Sequence, residues 1–170
     1  SLLKACIESV LKWTKDVEYE VIVVDNQSSD NSVEIIKSFG DKVKFIQSPE
    51  NGGFSKGNNL GIKEAKGKYV LLLNPDTLFL ENSIYRMKTW MDAHEKTAVS
   101  SCQLVNFEQQ ITFTGGYFPT LPRAALWAFF IDDLPILRNL FNSYHPVWSA
   151  KEKYSKEFNP DWVTGAFFFM

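Results

Sequence analysis

The apolar and polar positions along the chain alternate between a helical and a strand period. Apolar residues spaced on one helix face run from Leu2 to Trp13 and predict a helix with one buried side. Continuous apolar runs at 20–24 and 69–73 are too short for helices and lack a polar face, which is typical of strands buried on both sides of a sheet. Strands alternating with helices at this spacing predict an α/β fold with a mainly parallel sheet.

The same periodicities predict the remaining elements. Further helices are expected at Ser32–Phe39 (with Asp30 as N-cap and Gly40 as terminator), from Phe54 to about Ala65, from Asn82 or Ser83 to about Glu95, at Ala124–Ile131 and at Leu134–Phe141. Further strands are expected at Lys42–Gln47, Ala98–Leu104, Ile111–Thr114 and Phe167–Met170, with a turn at Gly115–Gly116.

The last third of the chain is rich in aromatic residues. Trp127, Phe129, Phe130 and Trp148 form either an exposed patch for an acceptor, a membrane surface or a partner, or part of the core. The charges of both signs at 151–157 predict a solvated loop.

Polar residues follow both buried strands. Asp25 directly follows the first, and Asn74-Pro75-Asp76 follows the second, where Pro75 has no N–H to donate to a strand partner. If the strands are parallel, both carboxylates lie at the same edge of the sheet, where ligands bind in open α/β folds. A carboxylate at this edge suits a divalent cation. The alternative for Asn74-Pro75-Asp76 is a plain turn before a helix cap.

Composition narrows the class of protein. The chain has 170 residues, 45% of them hydrophobic, and a net charge of −2 that is not clustered, so it resembles one ordinary globular domain without a footprint for a nucleic-acid polymer. Cys6 and Cys102 are its only cysteines and predict free thiols in a reducing compartment. No apolar run has the length of a membrane span, and no signal peptide is visible. The chain begins in a helix and stops in a strand, which predicts a piece of a longer protein.

A glycine-rich stretch at 51–59 precedes the third predicted helix. Glycines at a helix start let backbone amides approach a phosphate, and the helix N-terminus favours negative charge. The stretch matches neither a Walker loop nor the dinucleotide fingerprint. Gly57 and Gly61, inside the helix, are equally explained by close packing of the helix on the sheet.

The order of these segments resembles the family 2 glycosyltransferases, and the rhamnosyltransferase-like members in particular. The resemblance covers nearly the whole chain, from the first helix to Met170. It rests on four segments: Val-Val-Asp-Asn-x-Ser-x-Asp-x-Ser, Asn-Gly-Gly-Phe-x-x-Gly-Asn-Asn-x-Gly-Ile, Leu-Leu-Leu-Asn-Pro-Asp and Thr-Gly-Ala-Phe.

The resemblance implies the GT-A fold, a nucleotide-sugar-binding α/β sandwich of the Rossmann type, here truncated at both ends. The first strand of the family, which precedes the first helix and touches the nucleotide, is missing. Residues 1–170 would form a single partial domain, with 1–104 as the nucleotide-binding half and 105–170 as the start of the acceptor-side half. We therefore expect the stretch as given to bind donor poorly and to transfer no sugar.

The resemblance also implies residue roles. Asp25 would accept a hydrogen bond from the ring N–H of uracil or thymine. Asp76 would match the metal-binding aspartate of the family's Asp-x-Asp motif and hold Mg²⁺ or Mn²⁺, with Asn74 at the motif's first position. The donor pocket would also be lined by Ser28, Gly53 and Asn58.

The implied reaction is inverting sugar transfer from a UDP- or dTDP-sugar, dTDP-rhamnose being one such donor, to a saccharide or lipid-linked acceptor. The setting would be bacterial surface polysaccharide synthesis, in the cytoplasm at the inner face of the membrane. The catalytic base is expected beyond Met170. Two alternatives stay open: a nucleotidyltransferase, and a non-catalytic domain that binds a nucleotide-sugar.

Overall fold

A computed structural model describes residues 1–112, 114–131, 134 and 157–170. The helices are α1 (Leu2–Trp13), α2 (Ser32–Lys37), α3 (Gly53–Glu64), α4 (Ser83–Ala93) and α5 (Leu121–Ala128), with a single 3₁₀ turn at Gly40–Lys42. The strands are β1 (Ile22–Asp25), β2 (Lys44–Gln47), β3 (Leu71–Leu73), β4 (Leu104–Val105), β5 (Ile111–Thr112), β6 (Gly115–Gly116), β7 (Trp162–Val163) and β8 (Phe167–Phe169).

The described chain forms two compact units. The first contains 1–98 together with 169–170, and the second contains 99–168. The predicted helices and strands of the first unit are all present, most of them with slightly shorter bounds than expected. The glycine-rich stretch at 51–59 and the two carboxylates predicted at the sheet edge, Asp25 and Asp76, belong to this first unit.

The core of the first unit lies between α1, α2 and the first two strands. Ile7, Ile36 and Val43 are buried together, and the partly buried side chains packed against them are Leu3, Leu11, Val21, Val23, Phe39 and Phe45. The helical spacing of α1 directs Cys6, Ile7 and Val10 inward, since side chains three and four apart share a helix face. The amphipathic pattern of the first segment therefore determines which side of α1 is buried.

Strands β1 and β2 are parallel, as predicted, and their register pairs Ile22 with Lys44 and Asp25 with Gln47. The carbonyl of Val21 accepts the Lys44 N–H at 2.8 Å, and that of Asp25 accepts the Ser48 N–H at 2.9 Å. This register places the last polar residues of the two strands side by side.

A cavity of about 680 Å³ is lined by both β1 and β3, together with α1 and α3. In the described chain β1 pairs only with β2, and β3 pairs only with β8. Val70 exchanges two backbone hydrogen bonds with Met170, at 2.8 and 2.9 Å, which is an antiparallel pair. The backbone N–H and C=O groups of successive residues point to opposite edges of a strand. Leu71 and Leu73 therefore direct these groups to the edge of β3 away from β8, and Ile22 directs them to the edge of β1 away from β2.

The segment that follows β3 runs along α1. The Cys6 thiol donates to the Asn74 carbonyl at 3.7 Å, and the Phe79 N–H donates to Ser9 Oγ at 3.0 Å. Asn82 Nδ2 donates to the Lys15 carbonyl at 2.9 Å. Asn82 is the N-cap residue of α4, but its side chain makes this contact with Lys15 and forms no capping bond.

Several boundaries differ from the predictions in the first unit and at the start of the second. The N-cap residue of α2 is Asn31, and Asp30 accepts the Ser32 N–H from one position earlier, at 3.0 Å. The strand expected at Ala98–Leu104 is β4, Leu104–Val105. The polar pair Ser100–Ser101 interrupts the apolar run there, so the ladder with β5 begins only at Leu104.

Gly115–Gly116 was expected to form a turn, which is wrong: it is strand β6, antiparallel to β7. A Cβ on Gly115 would lie 2.6 Å from the Trp162 carbonyl oxygen, and one on Gly116 would lie 2.7 Å from the Trp162 ring. The two glycines therefore allow a tryptophan strand to approach closely. The first helix expected in this region begins earlier than predicted, at Leu121, with a proline in its first turn. Predictions for 135–156, including the second helix, Trp148 and most of the charged loop, lie outside the described residues.

Helix α3 packs closely on β1 through a glycine. A Cβ built on Gly61 would lie 3.3 Å from Val24 Cγ2, whereas one on Gly57 would lie 4.0 Å from Asn26 Cγ. We expect Gly61→Leu to lower the free energy of unfolding by about 1–3 kcal/mol through overpacking. Denaturant titration measures it, with Gly61→Ala as the control for backbone freedom. A Leu variant as stable as the Ala variant would contradict close packing at this position.

Candidate functional site

Five of the six predicted site residues line the same cavity of the first unit: Asp25, Ser28, Gly53, Asn58 and Asn74. They come from the end of β1, the loop after it, the start of α3 and the turn after β3. Asp76 is not among the residues that line the cavity; it is exposed on the turn, two positions beyond Asn74. The cavity thus brings together residues that are separated widely in sequence.

Asp25 is the buried carboxylate of this site, with a side chain only 4% exposed. The Ser28 N–H donates to its Oδ2 at 3.2 Å, and Gln47 Nε2 donates to the same oxygen at 2.6 Å. Burial raises the pKa of the Asp25 carboxyl, but hydrogen bonds from Ser28 and Gln47 outweigh burial and hold that pKa below its ordinary value. Asp25 is therefore ionised at neutral pH despite its burial.

Side-chain amides connect the loop after β1 to the loop before α3. Asn26 Nδ2 donates to Asn51 Oδ1 at 2.9 Å, and Asn26 Oδ1 accepts the Gly52 N–H at 3.1 Å. Gln27 Nε2 donates to the Ser48 carbonyl at 2.6 Å. These bonds hold the glycine-rich stretch against the end of β1.

The start of α3 is built from glycines for two different reasons. Gly53 has φ of +75°, a conformation that other L-residues rarely adopt. A Cβ on Gly52 would collide with the Lys56 side chain, which forms an ion pair with Glu50. Gly52, the N-cap residue, makes no side-chain capping bond, but the Gly53 N–H donates to Asn51 Oδ1 at 3.2 Å. The positive end of the helix dipole still favours an anionic ligand here.

Asn74, Pro75, Asp76 and Thr77 form a tight turn in which the Thr77 N–H donates to the Asn74 carbonyl at 3.2 Å. The Cys6 thiol lies beneath this turn. Burial, followed by the negative charge of Asp76, raises the pKa of Cys6 to about 11. The thiol is therefore protonated at neutral pH and is not a thiolate ligand.

The donor set at the turn fits a cation that is shared with a ligand. In the described part of the chain, no group of three or more His, Cys, Asp or Glu side chains is placed to hold a metal ion. Asp76 supplies one exposed carboxylate, and Asn74 supplies an amide oxygen. Mg²⁺ commonly keeps several waters and binds through one or two carboxylates plus substrate phosphates. The turn would therefore fit a divalent cation that also binds the phosphates of a substrate.

The sequence interpretation missed Gln47, which contacts Asp25 directly. The signal was available, because Gln47 is the last residue of the strand predicted at Lys42–Gln47 and Asp25 directly follows the strand predicted at 20–24. Once the pairing of β1 and β2 is parallel and in register, these two residues become neighbours. Asn26 and Asn51 were within the recognised segments but had no assigned role.

The aromatic patch of the second unit is exposed within the described chain. Trp127 is 51%, Phe129 74% and Phe130 70% exposed, so these side chains do not form part of the described core. Among the described residues, no helix is both long enough and apolar enough to cross a membrane. The patch carries no further assignment.

Comparison with known proteins identifies the family. The family model described as "Glycosyl transferase family 2" matches residues 1–155. Glycosyltransferase GlyG of Streptococcus pneumoniae serotype 4 is 34% identical over 99 residues, which cover 56% of this chain and 32% of GlyG. Minor teichoic acid biosynthesis protein GgaB of Bacillus subtilis is 32% identical over 97 residues, which cover 55% of this chain and 11% of GgaB. The chain therefore spans about a third or less of the length of these relatives.

A solved structure shares the fold. The mannosyltransferase PcManGT of Pyrobaculum calidifontis, in complex with GDP-Man and Mn²⁺, superposes with a TM-score of 0.55 at 18% identity. The match covers 62% of this chain and 32% of PcManGT. The fold of the chain is thus an incomplete α/β domain of the GT-A glycosyltransferase type.

Proposed function

The chain belongs to glycosyltransferase family 2, and on this premise we propose that the cavity of the first unit is the nucleotide-sugar donor site of the whole protein. The observation that carries the proposal is the buried, ionised Asp25 at the cavity wall. A carboxylate has about four acceptor positions, and its contacts with Ser28 and Gln47 leave capacity for a ligand N–H. Asp25 binds the ring N–H of the nucleobase.

The donor is a UDP- or dTDP-sugar, with dTDP-rhamnose within this class, because uracil and thymine each present one ring N–H to such an acceptor. Ser28, Gly53 and Asn58 line the donor pocket, and the positive end of the α3 dipole favours the diphosphate. The acceptor is a saccharide or a lipid-linked saccharide in surface glycan synthesis at the inner face of the membrane. Support for the surface glycan comes from the relative named for minor teichoic acid biosynthesis.

Asp76, on the turn after β3, would hold a divalent cation, Mg²⁺ or Mn²⁺, and Asn74 would form a hydrogen bond with a ribose or sugar hydroxyl. When bound, the cation neutralises negative charge on the leaving diphosphate. Asp76 would hold the positive charge of the cation on the turn that follows Asn74 and Pro75 of the cavity lining, and Asp25 orients the nucleobase inside the cavity. No residue of 1–170 is assigned as the base that deprotonates the acceptor.

Asp25→Ala in the full-length protein is expected to weaken binding of UDP or dTDP by about 1–3 kcal/mol, the usual cost of losing a hydrogen bond to a charged group. Titration calorimetry measures the change, with GDP as a comparison base. Asp30→Ala is the matched control, because Asp30 lies in the same loop and is exposed. If the Asp25 variant binds UDP, dTDP and GDP with unchanged affinity, Asp25 is not part of the nucleotide site.

A further inference from the structure

Gln47 contacts the candidate base-binding residue from outside the cavity. Its Nε2 donates to Asp25 Oδ2 at 2.6 Å and lies 3.4 Å from the Asp25 carbonyl oxygen. The side chain of Gln47 is exposed, and it is not among the residues that line the cavity. Gln47 therefore has no direct route to a ligand in the cavity and can act only through Asp25.

We infer that Gln47 is a positioning residue for nucleobase recognition: its amide holds the Asp25 carboxylate in one orientation and in its ionised form. The inference rests on the proposed role of Asp25 in the donor site. An ionised carboxylate only accepts hydrogen bonds, so the Gln47 amide must present its N–H group to it. In a protonated Asp25, one of the two carboxyl oxygens would carry a proton and would be a donor instead. The register of β1 and β2 fixes the distance between the two residues.

The Ser28 N–H contacts both oxygens of the carboxylate. It lies 3.2 Å from Oδ2 and 3.4 Å from Oδ1, and the Ser28 side chain adds a further hydrogen bond to Asp25. The 2.6 Å bond from Gln47 goes to Oδ2 alone. Gln47 thus distinguishes the two oxygens, and Oδ1 keeps the greater capacity for a ligand N–H.

In the part of the chain that the structure describes, no cationic side chain contributes to the low pKa of Asp25, so none would replace Gln47. Asp30 is the neighbouring charged group on the same loop, and hydrogen bonds from Ser32 hold the pKa of its carboxyl below its ordinary value despite the negative charge of Asp25. The cavity-lining polar side chains contributed by α3 and by the turn after β3, Asn58 and Asn74, are neutral. The other charged residues that line the cavity either precede β1 and β3 or lie on α4: Glu18, Glu20, Lys68 and Lys88.

The test uses the full-length protein with Gln47→Met and Gln47→Glu. Uridine is the probe, because it carries the nucleobase without a phosphate that would titrate. Two readouts are followed against pH: uridine affinity, and the NMR chemical shift of the Asp25 carboxyl carbon. Gln27→Met is the matched control, because it also removes a side-chain amide that donates a hydrogen bond at 2.6 Å, in this case to the Ser48 carbonyl.

We expect Gln47→Met to weaken uridine binding at neutral pH by roughly threefold to tenfold, the net worth of one hydrogen bond. A group whose pKa is held low stays ionised until the pH falls through that pKa. Removing the Gln47 donor therefore raises the Asp25 titration midpoint and moves the loss of uridine binding to higher pH. Gln47→Glu raises both the Asp25 titration midpoint and the pH at which uridine binding is lost further than Gln47→Met does, since a second negative charge beside Asp25 disfavours its ionisation.

The control separates positioning from general stability. Gln27→Met should leave the Asp25 titration unchanged, whatever it does to affinity. If Asp25→Ala weakens uridine binding but Gln47→Met changes neither the Asp25 titration nor the pH profile of binding, the inference about Gln47 is overturned, whereas the proposed role of Asp25 is retained. Uridine binding that is indifferent to Asp25→Ala overturns the proposed function and this inference together.

Discussion

Asp76→Asn is expected to weaken nucleoside diphosphate binding by the full-length protein roughly tenfold to a hundredfold in the presence of Mg²⁺ or Mn²⁺, and to remove most of the dependence on the cation. A carboxylate beside a diphosphate is a repulsive pair without a metal ion, whereas with the ion both groups become its ligands. Losing one hydrogen bond or ionic contact to a charged group costs about 1.5–3 kcal/mol, which corresponds to this range.

The measurement is UDP and dTDP affinity with and without chelator in the unmutated protein, Asp76→Asn and Asn74→Ala. Asn74→Ala should have the smaller effect, because a neutral amide contributes a hydrogen bond and no ionic ligand. Because Asp76 is exposed on its turn, its substitution by Asn leaves the packing of the fold unchanged. If chelator leaves the affinity of the unmutated protein unaltered, Asp76 is not a metal ligand, and Asn74-Pro75-Asp76 is a plain turn.

Joining an apolar strand of about five residues ahead of Ser1 through a short loop is expected to raise the free energy of unfolding of this chain by about 2–3 kcal/mol. Burying each β-branched residue contributes roughly 2 kcal/mol, and ordering it costs about 1.5 kcal/mol. The unpaired edges of β1 and β3 both border the cavity of about 680 Å³, so the new strand also gains backbone hydrogen bonds.

The start of α1 is placed for such a connection. Cys6 lies against Asn74, just beyond the end of β3, so α1 begins at the edge where a strand parallel to β3 would end. A strand, α1 and β1 would then form one right-handed unit. The thermal midpoint should rise by roughly 5–10 °C. A Gly-Ser segment of equal length is the control, and equal midpoints for the two chains would show that the cavity does not accept a strand.

The sequence by itself determined the elements whose signal is local. α1 spans the predicted Leu2–Trp13 because its apolar spacing and its Ser1 cap both lie within the segment. The parallel arrangement of β1 and β2 followed from the helix between them, since a parallel connection needs a crossover. Asp25 was recognisable as the first polar residue after a buried strand.

Only the tertiary structure decided which distant residues meet. The bond from Gln47 to Asp25 depends on the register of β1 and β2, and a shift by one residue would turn Gln47 to the other face. The Gly115–Gly116 pair is a strand because Trp162 packs on it, a partner that lies far along the chain. Periodicity records how each segment prefers to fold, whereas the pairing of segments depends on long-range packing that no single segment encodes.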